Sequence, residues 1–162
     1  MKKGRFLLGL VLSMGLVFSA QAEEGRDKAY FSSVMTILRA HIDTLMHLTN
    51  TKSEHSDNVV RHAVAINQTM GLFDHMDWSQ ERLSQLNAVG GASKSKAEEF
   101  NLFAEEARKS SKNLVRASNQ WLVDGKQSEL VEAINRLSTS CNHCHMQLKD
   151  RQAPILTTFN ME

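Results

Sequence analysis

The 162-residue sequence predicts an all-α fold, an antiparallel up-down four-helix bundle, and three observations carry that prediction. The only proline is Pro154, so residues 23–153 contain none to break a helix. Four segments place apolar residues at alternating steps of three and four, the stripe that a helix turns toward its neighbours, and strand-like alternation is absent. Short links join the first segment to the second and the third to the fourth, which makes consecutive helices antiparallel.

Ahead of these segments, Lys2, Lys3 and Arg5 precede an apolar run from Phe6 to Phe18 that is too short to span a bilayer. Small residues at Ala20 and Ala22 suit a signal-peptidase cut before Glu23, so residues 1–22 are expected to be a cleaved signal peptide and the mature chain to be periplasmic, with no membrane span after cleavage. Residues 23–162 are a normal length for one domain with a buried core. With the three leader cations gone, 16 basic residues face 18 acidic ones, a formal charge near −2. That balance leaves no electrostatic footprint for nucleic acid and no like-charged block for a membrane surface.

The first stripe is Phe31, Met35, Leu38, Ile42, Leu45 and Thr49, with Asp27 as its expected cap. Val59, Ala63, Ile66, Met70 and Phe73 form the second, with Ser53 or Ser56 available to accept the first amide hydrogens. An irregular connection is expected from Asp77 to about Ala92, because Gly90-Gly91 favours a turn. Ser93 or Ser95 can cap the third helix, whose stripe runs Phe100, Ala104, Ala107, Ser111, Leu114, Ser118 and Trp121 before Asp124-Gly125 ends it. The fourth is Leu130, Ile134, Leu137, Cys141, Cys144 and Leu148, which sets both cysteines in register with the core. A short tail begins at about residue 154. Nothing repeats at a period of twenty to fifty residues.

The two cysteines stand in Cys141-Asn142-His143-Cys144-His145. A disulfide across so short a loop contributes little stability. Two thiols three positions apart can instead add across the vinyl groups of one porphyrin edge while the following imidazole binds the iron. At about 100° per residue, Cys141, Cys144 and His145 share one arc of a helix, whereas Asn142 and His143 are expected to face outward. One covalent haem c, with its iron, on the C-terminal helix is the resulting expectation. A dithiol redox pair, a disulfide and a zinc site remain alternatives, the last needing a fourth ligand from His41, His47, His62 or His75.

A leader, four helical stripes and a haem motif confined to the last of them resemble the cytochrome c prime family, including its six-coordinate low-spin members. The resemblance covers the mature chain and extends to Tyr30–His41, which is similar to the family segment that passes over the distal face of the haem. It implies that His145 is the proximal iron ligand and puts Met35 at the distal position, either as a sixth ligand or as a core side chain, since methionine also fills gaps in bundles. Lys149, four residues past His145, corresponds to a basic residue near the haem edge in the family and also suits a helix C-terminus. Phe31 departs from the many five-coordinate members that have arginine there. The resemblance also implies a homodimer. Trp78, Phe100, Phe103 and Trp121 are haem-wall candidates with an ordinary core reading beside it.

If Met35 binds iron, a closed His/Met shell suits one-electron transfer with an exported redox partner. If it only packs, an apolar open face suits a binder or scavenger of nitric oxide or carbon monoxide. No distal His/Arg pair is apparent for an enzyme, and no catalytic residue is assigned.

Overall fold

A computed structural model describes residues 5–50, 55–76, 78–86, 94–148 and 155–156, with side chains described from Gly25 onward except those of Asn50 and Leu148. Among the described residues, five α-helices form: α1 (Arg5–Asn50), α2 (Asn58–Gly71), α3 (Gln80–Gln85), α4 (Lys94–Asp124) and α5 (Gln127–Leu148). A 3₁₀ turn, Leu72–His75, extends α2. The fold is an all-α helical bundle in which α1 packs on α2, α2 on α4, α4 on α5 and α5 back on α1, while α3 lies against α4.

The stripes bury in large part, with Ala104, Trp121, Cys141 and Cys144 half-buried and the Leu148 side chain outside those described. Phe31, Val34, Leu38, Ile42, Leu45 and Thr49 of α1 are buried. Met35 is only half-buried, and Val34, one position away, takes the core place expected for it. From α2 and its extension, Val59, Ala63, Ile66, Met70 and Phe73 all enter the core. Opposite them stand Phe100, Ala107 and Leu114 of α4 and Leu130, Ile134 and Leu137 of α5. Gly125 ends α4 at φ 70° with its amide donating to Trp121 O at 2.9 Å, the left-handed stop expected of Asp124-Gly125. Among the residues whose side chains are described, no helix is long and apolar enough to cross a membrane.

The helix starts differ from expectation. Asp27 lies inside α1, which begins at Arg5, and it pairs with Arg82 of α3 instead of capping. Before α2, the amides of Asn58 and Val59 donate to His55 O and Ser56 O, so a backbone turn replaces the serine cap. Ser53 and Ser93 lie outside the described residues. The connection after Met76 contains α3, capped by Ser79, whose hydroxyl accepts from the Arg82 amide at 3.3 Å. Leu83 and Leu86 anchor that segment in the core. The expectation of an irregular link missed it because six residues are too few to show a stripe.

Phe31, Phe73, Trp78 and Phe100 meet at one end of the bundle, with ring centroids 4.7–6.3 Å apart. The Trp78 indole donates to Phe73 O at 2.7 Å, which satisfies its one polar atom inside that cluster.

Candidate functional site

The last turns of α5 continue the buried stripe. Cys141 and Cys144 are half-buried against the core, seven and ten residues beyond Ile134, so the helical repeat returns them to its face. Neither is joined in a disulfide. Burial pushes the Cys141 thiol up to about 12, and the neighbouring Cys144 thiol pushes it in the same direction. Such a group stays protonated at neutral pH, whereas a dithiol redox pair works through a thiolate. His145 is half-buried with its Nδ1 atom shielded from solvent.

A cavity of about 350 Å³ lies between α1 and α5 and is lined by Met35, Cys141 and His145. Phe31, Leu38 and Ile42 of α1, Leu86 after α3, and Ile155 and Leu156 from the tail make the rest of its wall largely apolar. Its size falls in the range of roughly 300–1,000 Å³ usual for small-molecule and cofactor sites. Lys28 and Arg39 bring two cations to it, and Arg39 also approaches Asp43 at 3.6 Å. A larger groove of about 620 Å³ between α4 and α5 is lined mainly by polar side chains, among them Glu106, Glu132 and Arg136, and by none of the five motif residues. The smaller cavity is where the chemistry-bearing side chains converge.

The structure thus brings together Met35, Cys141 and His145, with Cys144 in the adjoining core. Lys149 lies outside the described residues. Of the aromatic candidates, Trp78 and Phe100 belong to the cluster at the bundle end, Phe103 lies beside the exposed His143 ring at 6.4 Å, and Trp121 packs on the core. None of the four lines the cavity, whereas Phe31 does.

Asn142 corrects the expectation that it faces solvent. It is 7% exposed; its Nδ2 donates to Leu156 O at 2.8 Å, and its Oδ1 accepts from the amides of Ile155 and Leu156 at 3.0 and 2.9 Å. Helical geometry does turn it away from the Cys141 arc, but the returning tail covers that side of α5. Lys28 and Arg39 also escaped the sequence reading, although a signal existed: Lys28, Ser32, Met35, Arg39 and Ile42 recur at steps of four and three beside the apolar stripe.

The histidines considered for zinc lie elsewhere. His41 of α1 and His62 of α2 face each other, Nδ1 to Nδ1, at 2.9 Å. Burial, reinforced by the adjacent His41, holds His62 below the usual histidine range. Among the described residues, no group of three or more His, Cys, Asp or Glu side chains gathers to hold a metal ion.

No protein-family model matches the chain, and no curated protein or solved structure matches it either.

Proposed function

We propose that the chain is an exported, periplasmic c-type cytochrome of the cytochrome c prime kind, a four-helix bundle that carries electrons one at a time between redox partners. The observation behind this reading is the single cavity lined by Met35 from one helix and by Cys141 and His145 from another. A thiol pair three residues apart, a following imidazole and a thioether across the cavity form the donor set that a covalent haem c with His/Met coordination requires. The residues fit that group. When bound, haem c supplies a one-electron iron couple.

Each side chain then has a distinct task. Cys141 and Cys144 hold the cofactor to α5, so the redox centre cannot be lost in an extracytoplasmic compartment. His145 would hold the iron through its imidazole. Met35 would offer a thioether from across the cavity, and the apolar side chains of Phe31, Leu38, Ile42 and Leu86 would keep water from the site. Lys28 and Arg39 provide positive charge for the carboxylates that every haem carries. The chain's role is to bind, orient and exclude water, with no substrate turned over.

Acid–acetone extraction of the purified protein tests attachment: colour retained on the chain is expected, and haem released freely counts against the reading. Ferric and ferrous spectra with and without carbon monoxide test the carrier. A low-spin spectrum that carbon monoxide changes slowly is expected. A high-spin spectrum with rapid binding would replace electron transfer by the gas-binding alternative.

A further inference from the structure

Asn142 sits between the two cysteines of the attachment motif, yet it makes no contact that haem attachment calls for. Its side chain makes three hydrogen bonds to the backbone of Ile155 and Leu156, thirteen and fourteen residues along the chain. Both amides of that dipeptide converge on one Asn142 oxygen, and the Leu156 carbonyl takes the Asn142 nitrogen. An amide side chain is needed for this, since it offers donor and acceptor at once from a planar group. Leu156 is 4% exposed, and both residues line the cavity that Met35, Cys141 and His145 share.

We propose that Asn142 is a positioning residue: by clasping Ile155 and Leu156, it sets the apolar tail wall of the cavity and thereby controls access of water and small ligands to it. The clasp is anchored on the same helical turn as the cysteines, so the wall keeps its register with the proximal side of the site. This inference rests on the haem reading for its redox consequence. An iron beside a dry apolar wall favours the reduced, less charged state. Loosening the clasp therefore lowers the reduction potential and speeds entry of external ligands.

The test uses Asn142→Ala, Leu156→Ala and wild type, all as full chains, with far-UV circular dichroism to establish that each is folded. Backbone amide exchange followed by NMR reads the clasp directly. Asn142→Ala is expected to exchange the Ile155 and Leu156 amides about tenfold faster or more, because occluded amides exchange through opening and three hydrogen bonds are lost. Leu156→Ala, which leaves Asn142 intact, is expected to keep most of that protection. In haem-free chains, alkylation of Cys141 by iodoacetamide, slow in wild type because burial keeps the thiol protonated, is expected to accelerate in both variants, since each thins the wall beside that thiol. In haem-loaded chains, both are expected to show a lower reduction potential and faster imidazole binding.

Unchanged exchange of the two amides in Asn142→Ala overturns the clasp. Faster exchange with unaltered Cys141 alkylation overturns its control of the cavity. If wild type carries no haem, the cytochrome reading fails while exchange and alkylation still decide the role of Asn142. If haem is present but potential and imidazole kinetics stay at wild-type values in Asn142→Ala, the redox consequence is overturned.

Discussion

Met35 is half-buried while Val34 beside it is 2% exposed, and the difference separates two roles on one helix. Val34 packs in the core, and Met35 turns about 100° from it toward the cavity. Replacing Met35 by Ala removes a thioether from that cavity but little from the core. If the proposed haem is bound, the expected outcome is a ferric spectrum converted from low to high spin and rapid carbon monoxide binding, with the melting temperature lowered less than by Leu45→Ala. An unchanged low-spin spectrum counts against Met35 as the distal ligand.

The His41–His62 contact makes a separate prediction about pH. The pair shares one hydrogen between facing Nδ1 atoms, and burial lowers the His62 pKa in the folded chain relative to the unfolded one. The unfolded state therefore binds more protons as pH falls through the ordinary histidine range near 6.5, and folding stability declines there. It levels off once pH drops below the depressed folded value. Urea denaturation midpoints between pH 7.5 and 5 are expected to fall in wild type and to fall less in His62→Gln.

At the scale of the element, the helices are held chiefly by what their stripes bury. Ile134 is 1% exposed on α5, immediately before the turns that carry Cys141 and His145. Ile134→Ala is expected to cost about 2–5 kcal/mol in chemical denaturation, as large-to-small core changes do. Gly125 offers a contrasting case. Nothing lies within 4 Å of a Cβ added there, so Gly125→Ala meets no clash, but the φ of 70° disfavours any L side chain. A loss of about 1–2 kcal/mol is expected from backbone conformation alone. The ion pair between Asp27 and Arg82 belongs to this scale too, because it fastens the short α3 to α1.

The whole molecule closes its contacts in a cycle, α1 to α2 to α4 to α5 and back to α1, around one core cluster. A chain with one core is expected to unfold in one step. Far-UV circular dichroism reports the helices, and tryptophan fluorescence reports Trp78 in the aromatic cluster and Trp121 on α4. The two thermal curves are expected to superimpose. Separate midpoints would mean that the aromatic end and the helices melt independently.

Much of this architecture was legible from the chain itself. The core stripes of α2, α4 and α5 were readable because helical periodicity is a local property: the same spacing that makes a face apolar makes it bury. The Gly125 stop and the register of Cys141 and Cys144 follow from the same local geometry. Asp27 was misread because a cap and an ion-pair partner share one residue type, and only the position of α3 separates them. Tertiary structure alone decided that Met35 meets Cys141 and His145 at one cavity, since this depends on how α1 and α5 pack. It alone decided the place of Asn142 as well. Spacing turned that side chain away from the cysteines, but whether solvent or another part of the chain lay on the far side depended on where Ile155 and Leu156 returned. Periodicity specifies which way a side chain points; its partner is specified only when distant segments pack against it.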